Sequence, residues 1–404
     1  MTSIHSFGLV VLVWLASACP AAVRTGLDNV EAHRALFANK RIGIIANHTS
    51  YDRQGRFIVD VFQSLGDAQV VALFSPEHGL YGVEEAGEAI DDRRDPKYGL
   101  PVHSLYGATR KPTPQMLDGI DVLVFDVQDV GARFYTYIST MALAMEAAAE
   151  GGKRFVVLDR PNPIGGMAVE GPLLDLTLSS FVGMHPIPVR HGLTTGELAQ
   201  MIDGRGWLVG GVRLSLSVVP MTGWKHAMWY DQTDLVFRGP SPNMPDLETA
   251  AVYPGLCLLE GTNVSEGRGT ALPFRQFGAP WIDGEALAAR LNRLNLPGLT
   301  FRPTTFTPSA SKHQDELCHG VRIEITGRDR LEPFWSGVCI VNEIARMAPD
   351  DFEWRASHFD RLCGTAAIRE AIVRRASLSP LRDQWRADGA SFQRVRRPYL
   401  LYAN

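Results

Sequence analysis

Along its hydrophobic and polar positions, the chain alternates short β-branched runs with longer helical stretches. Residues 42–46 (IGIIA), 70–74 (VVALF), 122–126 (VLVFD) and 155–158 (FVVL) are almost wholly apolar. Such runs mark strands of a parallel sheet covered on both faces. Between them the spacing predicts helices over 52–65 and 136–150, and a later one opening at Thr194. There Thr194-Thr195-Gly196-Glu197 has the capping-box pattern, in which a hydroxyl and a carboxylate satisfy first-turn amides reciprocally. The alternation implies right-handed crossovers and an α/β fold with a doubly wound, Rossmann-like parallel sheet. Three prolines within 239–245 interrupt regular structure. They divide the chain into an N-terminal catalytic domain, 24–245, and a smaller α+β domain, 246–404. In the second domain helices are expected over 284–294 and 359–375, and strands over 320–325 and 337–341.

In doubly wound sheets ligands bind outside the carboxyl ends of the strands. Three strand ends carry polar clusters. Ser75-Pro76-Glu77-His78-Gly79 follows one; Asp126, Asp129, Arg133 and Tyr135 follow another; Asp159, Arg160 and Asn162 follow a third.

Composition narrows the class. The 404 residues exceed the ~100–200 of one domain. With 45% hydrophobic and 21% charged residues and a net charge of -4, the chain has no basic stripe, which argues against a nucleic-acid partner. Residues 7–16 (FGLVVLVWLA) are too short an apolar run for a membrane span but fit the core of a signal peptide, and Ala16-Ser17-Ala18 gives a cleavage pattern before Cys19. A signal peptide over 1–18 and export to the periplasm or cell envelope are therefore expected. Cys19 leaves two outcomes open, simple cleavage or a lipoprotein anchor. Cys257, Cys318, Cys339 and Cys363 form no disulfide scaffold and no C-x-x-C pair. One disulfide among the last three and free buried thiols both remain open.

Several chemistries lack their signatures. Asn47-His48-Thr49-Ser50 follows the first strand where a dinucleotide fold would have G-x-G-x-x-G, and no phosphate-binding loop, G-x-S-x-G elbow or H-E-x-x-H occurs. No cofactor is expected. What the strand ends supply is carboxylates. Glu77 sits in a tight turn where burial would raise its pKa toward that of a general acid. Glu170 and Glu266 lie in loops, and glycoside hydrolysis uses two carboxylates flanking the scissile bond. Arg133, Arg160, Arg190 and Arg268 can bind a substrate carboxylate bidentately or pair with Asp126, Asp129 or Asp159. His78 and His191 are candidate acid–base or substrate-binding groups. A metal site from His48, His78 and an aspartate has no specific spacing behind it. Tyr135, Tyr137, Tyr253 and Trp281 can stack on sugar rings or simply pack.

Taken in order, these motifs resemble the exo-β-N-acetylmuramidase (NamZ) family. The likeness rests on Ser75 to Gly79, Asp126-Val-Gln-Asp129 through Arg133-Phe-Tyr135, and Leu158-Asp-Arg-Pro-Asn162-Pro163. It extends to Arg190-His191-Gly192, Pro242-Asn243-Met244-Pro245, and Glu260-Gly-Thr-Asn263 through Arg268-Gly-Thr270. It covers about residues 26 to 404. The resemblance implies an active site between two domains and release of N-acetylmuramic acid from non-reducing ends of peptidoglycan fragments, with a muropeptide or disaccharide as substrate. It implies Glu77 as catalytic glutamate. Beyond that, Glu170 or Glu266 is inferred as second carboxylate, with His78 beside Glu77. Arg133 or Arg268 is inferred as partner of the lactyl carboxylate, with Asn162, Asn243 and Asn263 among the substrate-binding groups. Two rival readings are another cell-wall hydrolase, such as a metal-dependent deacetylase or amidase, and a non-catalytic muropeptide-binding protein.

Overall fold

Seven strands build the larger sheet: β1 (Lys40–Ala46), β2 (Ala68–Ser75), β3 (Arg93–Arg94), β4 (Pro101–Ser104), β5 (Val122–Asp126), β6 (Arg154–Leu158) and β7 (Ser215–Val219). These and all later details come from a computed structural model that describes residues 22–84, 88 and 91–404. The expected signal peptide and Cys19 lie outside the described residues. The order is β3-β4-β2-β1-β5-β6-β7, and every pairing is parallel except that of β3, a two-residue edge. From β1 the chain winds outward through β2 and β4, then returns to β5 and winds the other way. The switch point therefore lies between β1 and β5, as in a Rossmann-like sheet.

Side-chain alternation along the strands assigns each residue to one of two cores. Ile45, Phe74, Leu123 and Phe125 enter the core shared with α2 (Tyr137–Glu150) and α3 (Thr195–Gly204). Ile42, Ile44, Leu73, Val122 and Val124 enter the opposite core, closed by α1 (Ile58–Ser64). Fully burying each such side chain contributes roughly 1.5–3 kcal/mol. The Thr194 capping box is present, with Glu197 N donating to the Thr194 hydroxyl and Glu197 bonding back to the Thr194 amide. Helix α1 is shorter than the expected 52–65. Asp52 accepts hydrogen bonds from the amides of Gln54 and Arg56 and holds residues 51–57 in a turn.

The second sheet is antiparallel, in the order β8-β10-β9, from β8 (Gln276–Ala279), β9 (Leu299–Phe306) and β10 (Cys318–Ile325). Around it lie α4 (Leu247–Leu256), α5 (Gly284–Arg293), α6 (Pro333–Met347), α7 (Ala356–Cys363), α8 (Ala367–Val373) and α9 (Ser379–Arg396). Two expectations are corrected here. Residues 337–341 are no strand; they are the middle of α6, where a Cβ on Gly337 would stand 2.2 Å from the Gly255 carbonyl oxygen of α4. That close helix crossing decides for helix what the β-branched run left ambiguous. The expected helix over 359–375 is two helices. Gly364 ends α7 in the left-handed conformation, and a Cβ there would lie 2.5 Å from Arg133 Nη2. Cys257, Cys318, Cys339 and Cys363 are free, buried thiols.

The chain finally returns to the first domain. The Arg396 guanidinium donates to the carbonyls of Gly166, His191 and Gly192, Tyr402 donates to Asp159, and the Leu401 amide donates to Glu197.

Candidate active site

A cavity of about 770 Å3 opens between the carboxyl end of the larger sheet and the second domain. Glu77 and His78 reach it on the turn that ends β2. His78 and Gly79 both have left-handed backbones, with φ of 69° and 72°, and the Gly79 amide closes the turn on the Pro76 carbonyl at 3.0 Å. A non-glycine residue in that region costs roughly 1–2 kcal/mol, so the surrounding fold must hold His78 in place. Its Nδ1 lies 2.8 Å from the Glu84 carbonyl. Glu77 is 9% exposed. The Thr136 hydroxyl, at the start of α2, donates to Glu77 Oε2 at 2.5 Å. Tyr106 lines the same wall next to Glu77, and burial together with that carboxylate pushes its hydroxyl up to about 12.

The second domain supplies the facing wall from the 260–270 loop. Arg268 Nη2 binds Glu260 Oε1 at 2.6 Å and Arg268 Nε lies 3.3 Å from Glu266 Oε1. Lys312 Nζ lies 2.7 Å from Glu266 Oε2. Glu266 is 2% exposed. Burial works against the Glu260 carboxylate, but Arg268 and His358 outweigh it and hold the group at about 2. Burial likewise works against the Arg268 cation, and the two glutamates overcome it, raising its pKa. For Lys312 burial wins and the pKa is lowered. This wall is therefore a fixed array of alternating charges in a low-dielectric setting, where such groups act strongly. Between the walls, Tyr135, Tyr253 and Phe274 stack edge to face, with centroids 5.8 Å and 4.9 Å apart.

The structure brings Glu77, His78, Tyr135, Asn243, Glu266 and Arg268 to one cavity. Two of the candidate stacking aromatics, Tyr137 and Tyr253, line it as well. The polar candidates that remain lie outside it. Arg133 is buried and spends its guanidinium on the carbonyls of Pro172, Ile187 and Leu362. Arg160 is clamped by Asp126 at 2.5 and 2.8 Å. Asp159 accepts from Thr194, Gly196 and Tyr402; burial, with Glu197 nearby, raises it to about 6. Asp129 accepts from the Gly131 amide at 2.6 Å, and burial raises it to about 7. Asn162 bonds the Leu193 carbonyl, and Asn263 bonds Asp351 and Glu353 of the neighbouring loop. Arg190 donates to the Ile164 carbonyl and lies over Trp229. His191 is buried and accepts from the Leu193 amide; burial lowers its pKa to about 3. Glu170 accepts from the Trp335 amide at the seam of the two domains, with burial raising it to about 7. Each carries a polar group the fold needs satisfied internally.

The strand-end rule finds only part of this site. Thr136 and Tyr106 are missed because neither belongs to a motif, though Thr136 opens a predicted helix. Glu260 stands in a quoted motif without a role. Lys312, Arg355 and His358 also line the cavity, and nothing local in the sequence marks them. A second cavity of about 280 Å3, bordered by Thr49, Gln128, Arg160 and Arg238, occupies the switch-point crevice instead.

Two family descriptions match the chain: "Exo-beta-N-acetylmuramidase NamZ, N-terminal" over residues 42–248 and the corresponding C-terminal description over 251–402. The peptidoglycan β-N-acetylmuramidase NamZ of Bacillus subtilis (strain 168) is 46% identical over 382 residues, covering 94% of this chain and 91% of that protein. Crystal structures of two DUF1343-family proteins of Bacteroides fragilis share the fold. One has a TM-score of 0.87 at 39% identity, covering 94% of this chain and 99% of that one. The other has a TM-score of 0.79 at 33% identity, covering 95% and 100%.

Proposed function

The chain belongs to the NamZ family of exo-β-N-acetylmuramidases, which are glycoside hydrolases, and on that premise we propose that Glu77 and Glu266 are its working carboxylates. The substrate is a peptidoglycan fragment, and N-acetylmuramic acid is released from its non-reducing end. The observation that carries the assignment is a strand-end glutamate and a second buried glutamate lining one cavity. Glu77 protonates the glycosidic oxygen, with the Thr136 hydroxyl fixing one carboxyl oxygen. Glu266 is the second carboxylate that such hydrolysis requires. Arg268 and Lys312 hold its two oxygens, so it need not reorient as positive charge develops on the sugar. The aromatic floor of Tyr135, Tyr253 and Phe274 offers apolar rings to a sugar face. Export to the periplasm or cell envelope completes the reading: it is supported by the apolar run at 7–16 and by a substrate that lies in the cell wall.

The test is turnover of a chromogenic N-acetylmuramic acid glycoside by the wild type beside Glu77→Gln. The variant should fall by on the order of 10²–10⁴ in kcat, the usual worth of a positioned acid. Wild-type turnover by the variant, or inactivation of the wild type by a chelator, would sink the assignment.

A further inference from the structure

N-Acetylmuramic acid differs from N-acetylglucosamine by a lactyl ether that carries a carboxylate. A muramidase built on the cavity described above must meet that charge, and the cations around it can be counted by what they already hold. Arg133, buried and outside the cavity, is spent on three backbone carbonyls. Arg268 is engaged by Glu260 and Glu266. The three protons of Lys312 are matched by Glu266, the Leu259 carbonyl at 2.7 Å and the Thr262 carbonyl at 3.2 Å. Redirecting any of these would leave a buried group unpaired, which is costly.

Arg355 is different. It lines the cavity, its side chain is exposed, and among the described residues its guanidinium has neither an ion pair nor a hydrogen bond. It caps the N-terminus of α7, whose first amides no side chain satisfies, and that helix also turns His358 and Leu362 to the cavity. Helix N-termini favour anions. The Arg355 amide is tied to the Gly261 carbonyl at 2.8 Å, fixing it against the loop that carries Glu260 and Glu266. Resting on the muramidase reading, we propose that Arg355 is the substrate-binding residue that recognises the lactyl carboxylate.

The experiment compares two chromogenic glycosides of N-acetylmuramic acid, one with the free lactyl carboxylate and one with the neutral lactyl amide. For Arg355→Ala, KM for the acid should rise roughly 10- to 100-fold, the range of a lost charge-assisted pair. Its kcat should stay within about threefold, and its kinetics on the amide should not change. Arg355→Lys should recover part of the loss, since it restores the charge but not the planar fork. Inhibition by free N-acetylmuramic acid should weaken in Arg355→Ala by the same factor as KM. Equal losses on acid and amide, or an unchanged preference for the acid, overturn the assignment. A wild type that hydrolyses neither glycoside overturns the muramidase reading and this inference with it.

Discussion

Two clusters of arginine and carboxylate stand in the molecule, one on each side of the functional divide. In the first, Arg160 and Asp126 are buried at the ends of β5 and β6, with Arg160 on the border of the smaller cavity. In the second, Arg268 bridges Glu260 and Glu266 on the wall of the large cavity, with Lys312 behind. The residue types are the same and both sit where a ligand was expected. They differ in what surrounds them. Arg160 and Asp126 consume one another away from the large cavity, whereas the second cluster, equally balanced with two cations and two carboxylates, lines that cavity. A paired charge can act on a substrate only where the fold leaves it facing a space the substrate can enter.

The largest effect expected from this contrast is on stability. Asp126→Ala strands the Arg160 guanidinium without its partner, and breaking a buried pair this way costs about 3–5 kcal/mol. Chemical denaturation should show that loss, while kcat per folded molecule stays at the wild-type value; a matching collapse of kcat would erase the distinction between the clusters. Glu266→Gln should do the reverse. A fall in kcat of roughly 100-fold corresponds to about 2.7 kcal/mol of barrier, with a loss of stability smaller than that of Asp126→Ala, since glutamine keeps an acceptor oxygen for Arg268 or Lys312. Full activity in Glu266→Gln would transfer the second-carboxylate role elsewhere, with Glu260 the next to try.

Asp129 sharpens the comparison through pH. Its folded pKa is raised to about 7 by burial, so between about pH 4 and pH 7 the native state holds a proton that the unfolded chain has lost. Stability must then fall as pH rises through that window and level off above it. Asp129→Asn keeps an oxygen for the Gly131 amide and removes the titration. It should be more stable than the wild type by roughly 1–3 kcal/mol at pH 8 and nearly equal to it at pH 4; parallel stability curves for the two proteins would contradict the burial argument. The smallest effect belongs to Thr136→Val, which removes one hydrogen bond to Glu77. Such a bond is worth about 1.5–3 kcal/mol at most when charged, and a threefold to tenfold lower kcat is expected with KM unchanged.

How far the sequence carries depends on whether a decision is local. The Thr194 capping box, the strands β1, β2, β5 and β6, and helix α2 were legible because each is settled within a few residues. Helix α6 was not, since the Gly337–Gly255 contact that selects it joins positions far apart in the chain. The same holds at the site. Glu77 was legible from the rule that parallel sheets bind at strand ends. Arg133 looked like an anion-binding arginine because nothing nearby in sequence shows the Leu362 carbonyl, 229 residues away, that occupies it. Lys312 and Arg355 reach the cavity only through the packing of the second domain, and no periodicity announces them.

The segment around residues 396–402 gives the molecule an order of assembly. Asp159 and Glu197 lie in the heart of the first domain, yet their partners Tyr402 and the Leu401 amide are 243 and 204 residues further on. A growing chain that has made the whole larger sheet still holds two buried carboxylates without those donors. Completion of the first domain therefore waits until residues 396–402 have been made, and a nascent chain stalled before residue 396 should remain loose, protease-sensitive and open to unfolding.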